Sequence, residues 1–433
     1  MGESEIRNSK FEIRNGKSDA PDVGHTKGSS SAPTLSVVIP AYNEHDAIGA
    51  VLERIRAAAP RLAEAGLALE ILVVDDGSCD GTRELVGQQP QVTLVCHERN
   101  QGYGAAIKTG FRQARGQYLA FLDADGTYPP EALPDLCRPL LAGTADLVIG
   151  CRMGNAASRM PAVRRIGNTA FALLLTLLGN ARVRDSASGM RVLDRAALPT
   201  LYPLPDGLNF TPVMSARALY EGLRMVEVPI AYEERVGESK LHPLRDGMRF
   251  LRSIVKTVMT YNPVRPLGLA GTAALVLAGL YVLVLLGVRL SGVTSLGRWG
   301  TLGVFAALVL AVSGVSLLTL GATFNALVAF FHRRPVRQGL FGRPFLPPGL
   351  ERHFGWAGLA AIGGGVALAG ACMVLSLRGW DMLRLWLYLV GSAGVILVGV
   401  QLLVSWLLMR VMEGLSKRAA EVEEDMGERG ERG

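Results

Sequence analysis

From residue 267 onward the sequence is dominated by apolar residues, gathered into four stretches at about 267–288, 302–331, 356–375 and 386–408. Each is near or above the roughly 20 residues a helix needs to cross a bilayer. In hydrocarbon the backbone must satisfy its own hydrogen bonds, so each stretch is expected to be a helix. The 433-residue chain therefore divides. Residues 263–410 read as a four-helix transmembrane domain with the membrane bilayer as its partner. Residues 34–242 have the composition of an ordinary soluble domain, 243–262 connect the two, and 411–433 form a charged tail. Residues 1–33 are polar and carry a near-duplicate, Glu-Ile-Arg-Asn-Ser-Lys-Phe then Glu-Ile-Arg-Asn-Gly-Lys-Ser, with too few apolar residues for a core. Disorder is expected there.

Charge sets the expected orientation. The loop between the second and third stretches carries Arg333, Arg334, Arg337, Arg343 and Arg352, more than either outer loop, and this predicts that it faces the cytoplasm. An even number of spans then puts the soluble domain and both termini on that side of a multi-pass protein of the plasma or inner membrane. The N-terminus has no apolar export segment. The five cysteines are odd in number and lack Cys-x-x-Cys pairs, which suits a reducing compartment and gives no zinc framework. No nucleic-acid partner is expected, and the oligomeric state is left open.

Within residues 34–242, apolar runs alternate with helical patterns. Residues 35–40, Leu-Ser-Val-Val-Ile-Pro, read as a strand, and a helix follows in which Ile48, Val51, Leu52 and Ile55 keep the i, i+3, i+4, i+7 spacing. Further strands are expected at 70–75, 92–96 and 146–150, and a helix at 102–114. Such alternation implies a mostly parallel, doubly wound α/β sheet. In such a sheet ligands bind beyond the carboxyl ends of the strands. Asp75 stands at one such end, where it can accept hydrogen bonds from a nucleobase or ribose, while Ser78 and Asp80 suit the capping of the next helix.

The apolar run beginning at Tyr118 breaks off into Asp123-Ala124-Asp125. If the chain stays extended, the two carboxylates point the same way and Ala124 points aside. Two such oxygens suit a Mg²⁺ or Mn²⁺ ion that also grips a diphosphate.

These motifs, Val-Ile-Pro-Ala-Tyr-Asn-Glu, Val-Val-Asp-Asp-Gly-Ser, Asn-Gln-Gly-Tyr-Gly-Ala-Ala, Leu-Asp-Ala-Asp, Asp185-Ser-Ala-Ser-Gly-Met-Arg191 and Gly237-Glu-Ser-Lys-Leu241, resemble the inverting glycosyltransferases of family 2. More narrowly, they are similar to its dolichyl-phosphate mannosyltransferase and polyprenyl-phosphate glycosyltransferase branch. The resemblance implies a GT-A fold, a nucleoside-diphosphate sugar donor such as GDP-mannose or a UDP-hexose, and a polyprenyl phosphate acceptor. By matching position it assigns the nucleoside to Pro40, Tyr42, Glu44, Val73 and Asp75, and the metal and diphosphate to Asp123, Ala124 and Asp125. Arg235 and Lys240 would come from a loop closing over the phosphates and share the catalytic electrostatics with the acidic pair. Where mannosyltransferases of this kind carry Leu-Gln after the acidic pair, this chain has Gly126 and Thr127, which leaves the rest of the metal shell and the identity of the sugar open.

Six arginines between Cys151 and Gly189 call for an anionic acceptor. The resemblance places Arg152 at the donor and acceptor phosphates, and Arg164 and Asn168 at a lipid phosphate. The last two are four residues apart and share a helix face. Arg245, Arg249, Arg252 and Lys256 form one stripe of a helix opposite Met248, Leu251, Ile254, Val255 and Val258, the pattern of an in-plane amphipathic helix. Two other functions remain in view. A processive polysaccharide synthase would carry Gln-x-x-Arg-Trp before its channel helices, whereas the nearest string here is Ser295-Leu-Gly-Arg298-Trp299. A non-catalytic nucleotide-sugar-binding scaffold would have lost ligands that this chain keeps.

Overall fold

The computed structural model describes residues 11–12, 32–153, 160–179, 183–233, 235, 243–292, 297–332, 353–380 and 382–431. The chain forms two compact units, Met1–Thr257 and Val258–Gly433.

The first unit is built on one mixed sheet. Its strands are β1 (Phe11–Glu12), β2 (Thr34–Ala41), β3 (Ala68–Asp75), β4 (Val92–Cys96), β5 (Tyr118–Phe121), β6 (Leu147–Cys151), β7 (Arg191–Asp194) and β8 (Met225–Pro229), in the spatial order β1-β8-β6-β7-β5-β2-β3-β4. The helices of this unit are α1 (His45–Glu64), α2 (Thr82–Gly87), α3 (Tyr103–Gln113), α4 (Leu133–Leu141), α5 (Ala162–Gly179), α6 (Leu198–Leu201) and α7 (Phe210–Tyr220), and α8 (Pro243–Tyr261) leads out of it.

Period-2 burial on both faces explains the layering. Leu35, Val37 and Ile39 of β2 pack into one cluster with Ile48, Val51, Leu52 and Ile55 of α1. Val38, turned the other way, joins Ile107 and Phe111 of α3 and Phe210 and Met214 of α7. This is the α/β arrangement of a GT-A domain.

The sheet is less uniformly parallel than the alternation of elements implied. β2 pairs in parallel with β3 and β5, and β3 with β4. β7, however, runs antiparallel to both β5 and β6. It occupies the place between them, so the residues just before it, 185–190, are delivered beside the end of β5. Within the N-terminal segment expected to be disordered, β1 pairs antiparallel with β8.

The second unit holds α9 (Val264–Leu290), α10 (Arg298–His332), α11 (Phe354–Leu377) and α12 (Met382–Glu431). All four are long and apolar enough to cross a membrane, over Val264–Val288, Arg298–Phe324, Phe354–Leu377 and Leu385–Leu415. The described part of the charged tail continues α12 as helix.

Two helices of the first unit expose apolar side chains. On α5 these are Ile166, Leu173 and Leu177, and on α8 they are Met248, Leu251 and Val255. Arg245, Arg249, Arg252 and Lys256 are exposed on α8 as well, while Ile254 is fully buried. The expected stripe of cations is therefore present, with its apolar complement divided between buried and exposed positions.

Candidate active site

A cavity of about 840 Å³ is lined by residues at and beyond the carboxyl ends of β2, β3, β5 and β6. Pro40, the next-to-last residue of β2, lines it together with Tyr42 and Glu44 just beyond that strand, Asp76 after β3, Asp123, Ala124 and Asp125 after β5, and Arg152 after β6. Tyr103 at the start of α3, Arg164, Asn168 and Phe171 from α5, Arg235, and Arg249 and Phe250 from α8 complete the parts used below. Residues read as donor-binding and as acceptor-binding thus share one space.

The acidic pair reaches this space by a turn. β5 ends at Phe121, two residues before Asp123, and the chain turns through 124–126 with Gly126 at φ +76°. The assumption of an extended chain through Asp125 is thereby corrected. Asp123 Oδ1 accepts a hydrogen bond from the Tyr103 hydroxyl at 2.7 Å. Asp125 Oδ1 accepts from the Thr127 N–H at 3.1 Å and from its hydroxyl at 2.6 Å. Burial, and then the charge of Asp125, push the Asp123 carboxyl up to about 7. Two close carboxylates in a poorly solvated wall create a demand for positive charge. Arg235 meets part of it, with Nη2 2.8 Å from Glu44 Oε1 and Nη1 3.4 Å from Asp125 Oδ2.

Arg152 is buried, and its Nε and Nη2 donate to the two oxygens of Asp185 at 2.8 and 2.7 Å. The guanidinium also lies over the rings of Tyr128 and Tyr232, 5.9 and 5.4 Å from their centroids. Burial works against both charges, and their mutual attraction overrides it, holding Asp185 below and Arg152 above their ordinary ranges. Beneath them Arg191 is fully buried and donates to the carbonyls of Ser186 and Ser188. Burial pulls its guanidinium down to about 10.

On α5, Arg164 Nη1 donates to the Tyr232 hydroxyl at 3.1 Å. Asn168 Nδ2 donates to the Arg184 carbonyl at 3.3 Å, while its buried Oδ1 has no hydrogen-bond partner among the described residues. Arg164 and Asn168 both line the cavity, as their four-residue spacing led one to expect.

Two of the residues assigned to the nucleoside by sequence, Asp75 and Val73, do not line this cavity. Asp75 is fully buried, its Oδ2 held by Arg83 Nη2 at 2.8 Å and its Oδ1 by the Ser78 N–H at 3.1 Å, and it does not line the cavity. Asp76 lines it instead, fixed by His97 Nδ1 at 2.7 Å and by the N–H groups of Gln101 and Gly102. Val73 belongs to the hydrophobic core. The N-cap position of α2 is Gly81; Asp80, one residue before it, accepts from the Thr82 N–H, whereas Ser78 accepts from the Asn43 N–H after β2. Lys240 lies outside the described residues. Among the described residues no group of three or more His, Cys, Asp or Glu side chains could hold a metal. Sequence reasoning gave no role to Tyr103, Thr127, Asp185 or Gly189. Tyr103, Asp185 and Gly189 stand inside quoted motifs, but only the fold brings them to the acidic pair and Arg152.

Similarity to known proteins extends over both parts of the chain. The sequence pattern named Glycosyl transferase family 2 matches residues 36–201, and a domain of unknown function, DUF8752, matches residues 263–423. A dolichyl-phosphate hexose transferase of Haloferax volcanii is 35% identical over 225 residues, which cover 52% of this chain and 94% of that protein. A low-salt glycan biosynthesis hexosyltransferase of the same organism is 34% identical over 284 residues, 60% of this chain and 67% of the relative. An undecaprenyl-phosphate 4-deoxy-4-formamido-L-arabinose transferase of Pseudomonas paraeruginosa is 33% identical over 337 residues, covering 73% and 94% respectively.

Proposed function

The chain is an enzyme of glycosyltransferase family 2, and on that premise we propose that it moves a single sugar from a nucleoside diphosphate onto a polyprenyl phosphate at the cytoplasmic face of a membrane. One observation carries the acceptor assignment. Arg164 and Asn168, a guanidinium and a side-chain amide whose N–H groups can donate to a phosphate, open on the same cavity as Asp123 and Asp125. The names of the relatives, which act on dolichyl or undecaprenyl phosphates, support the same acceptor class.

Two hard oxygen donors on one wall, one of them pushed up to about 7 by burial and its neighbour, fit a Mg²⁺ or Mn²⁺ ion. Asp123 and Asp125 would be its protein ligands, and when bound it would hold the diphosphate and offset charge on the leaving group. Around that position the chain supplies fixed charges and shape. Pro40, Tyr42, Glu44 and Asp76 bound the nucleoside end. Arg235, with Lys240 five residues on in the sequence, would follow the departing phosphates, where a cation stabilises charge as it develops. Arg152, locked onto Asp185, keeps a permanent positive charge between the donor side and α5.

An acceptor hydroxyl would need a base to remove its proton. A lipid monophosphate has a second pKa near about 6, by analogy with phosphorylated side chains, and is largely dianionic at neutral pH. The expected reaction is one in-line displacement with inversion at the anomeric carbon. The exposed apolar residues of α5 and α8, together with the cations of α8, fit these helices to an in-plane position at the bilayer surface. A phosphate head entering from the lipid would meet the Arg164 and Asn168 face of α5.

Steady-state kinetics of Arg164→Ala and Asn168→Ala test this reading. Each should raise KM for polyprenyl phosphate roughly tenfold or more, as losing a hydrogen bond to a charged group does, with KM for the nucleotide sugar little changed. Unchanged acceptor saturation in both would overturn it.

A further inference from the structure

Each carboxylate of the acidic pair has one oxygen already engaged. Asp123 Oδ1 accepts the Tyr103 hydroxyl at 2.7 Å. That phenol has little freedom to leave, because it sits in the first turn of α3 and its ring packs edge-on against Phe210 at 6.5 Å. Asp125 Oδ1 accepts two bonds from the fully buried Thr127, one from its N–H and one from its hydroxyl. Oδ2 of Asp123 has no hydrogen-bond partner among the described residues, and Oδ2 of Asp125 faces Arg235.

We propose that Tyr103 and Thr127 restrict each aspartate to a single ligating oxygen, and so make the pair select a small octahedral divalent cation over Ca²⁺. The inference rests on the reading that Asp123 and Asp125 hold the metal, and goes beyond it by assigning metal selectivity to two side chains that are not ligands. Ca²⁺ takes six to eight oxygens at about 2.3–2.6 Å and readily accepts both oxygens of one carboxylate. Mg²⁺ demands six ligands at about 2.0–2.1 Å, and is satisfied by one or two carboxylate oxygens plus waters and substrate phosphates. For Asp123 to chelate through both oxygens, the cation must share Oδ1 with the Tyr103 hydroxyl. At Asp125 it must compete with two donors that already occupy Oδ1.

This also assigns a use to the place where the motif departs from its relatives. At the position where Gln would complete the metal shell, Thr127 fixes the orientation of the preceding ligand instead. Its N–H and hydroxyl both point at Asp125 and its side chain is closed to solvent. The remaining coordination positions fall to the donor's diphosphate and to water, since no third acidic, Cys or His side chain joins the pair among the described residues. Metal and nucleotide are then expected to bind together, with weak metal affinity in the absence of diphosphate.

The test uses full-length protein in detergent, with bound Mn²⁺ followed by electron paramagnetic resonance in the presence of UDP or GDP, and with Mg²⁺ and Ca²⁺ as competitors. Wild-type protein should release Mn²⁺ to Mg²⁺ at far lower concentration than to Ca²⁺. Tyr103→Phe and Thr127→Val should each shift the Ca²⁺-to-Mg²⁺ competition ratio about tenfold toward Ca²⁺, the size of one hydrogen bond to a charged group. Thr127→Ser should keep the wild-type ratio. The ratio is the decisive readout, because a carboxylate made more basic by losing a donor binds both competitors more tightly and leaves their ratio unchanged. An unchanged ratio in either variant that still binds Mn²⁺, or equal displacement by the two ions in wild type, overturns the inference. Undiminished Mn²⁺ binding by Asp125→Asn would overturn the underlying metal assignment, a separate result.

Discussion

Gly189 carries the sharpest structural prediction. A methyl group added to its α-carbon would lie 2.5 Å from Asp123 Oδ2, 2.7 Å from Oδ1 and 2.8 Å from Cγ, whereas ordinary contact begins at 3.4 Å. Something must move by about 0.9 Å, the difference between 3.4 and 2.5 Å. The glycine backbone is the less able to yield. Its N–H donates to the Tyr128 hydroxyl at 2.6 Å, Ser188 Oγ is bonded to the Gly150 carbonyl at 2.6 Å, and Gly150 N–H to the Met190 carbonyl at 2.9 Å. The Asp123 carboxylate therefore recedes, and its 2.7 Å bond to Tyr103 is strained. Misplacing a reacting group by about 1 Å costs on the order of 10²-fold in rate, and overpacking costs about 1–3 kcal/mol of stability. Gly189→Ala should lower sugar transfer about 10²-fold while the detergent-solubilised protein still melts cooperatively, a few degrees below wild type. Wild-type turnover in this variant would show that Asp123 has no fixed position to lose.

Asp125→Asn should reduce transfer by 10²-fold or more, as removal of a charge-stabilising element does, and a chelator should abolish wild-type activity; full activity of the variant in chelator would remove the metal from the account. Arg152→Ala leaves the fully buried Asp185 without its partner, so about 3–5 kcal/mol of stability should go, and a thermal midpoint within a degree of wild type would contradict the buried pair. Because Asp123 sits at about 7 in the folded protein, against about 4 for an ordinary carboxyl, the native state holds this proton longer than the unfolded chain does. Without metal, this group then makes stability fall as pH rises between about 4 and 7, and Mn²⁺ affinity should weaken about tenfold per pH unit below 7 and level off above; an affinity flat from pH 5 to 8 would refute it. In a cysteine-free background, a cysteine placed at residue 342 should resist impermeant thiol reagents in intact cells and one at 295 should react, and the reverse pattern would put the catalytic domain on the side away from its nucleotide donor.

The parts legible in the sequence were those set by local pattern. The β2 strand with the i, i+3, i+4, i+7 face of α1, the four apolar spans and the shared face of Arg164 and Asn168 depend on periodicity, and the fold honours each. What failed to read through depended on turns and on distant partners. Its place at the carboxyl end of a strand marked Asp75 as facing a ligand. The chain leaves β3 at that residue, however, and Arg83, eight positions on, returns to claim its carboxylate, so the next aspartate faces the cavity. Alternation along an extended strand does not reach Asp125, because β5 stops at Phe121. The partner of Arg152 is 33 residues away in sequence, delivered by the antiparallel strand β7 that alternation of strands and helices does not announce. Tyr103 reaches Asp123 only because the fold sets the start of α3 beside the carboxyl end of β5.

Product analysis tests the central claim most directly. Solubilised protein supplied with an α-linked nucleotide sugar, from a panel of GDP-mannose, UDP-glucose and UDP-N-acetylglucosamine, is offered a polyprenyl phosphate and the matching prenyl alcohol in parallel. The account predicts a single sugar joined to the lipid phosphate in β linkage, from one donor of the panel, and no product on the alcohol. A product that retains the α configuration, or equal transfer to the alcohol, would contradict it.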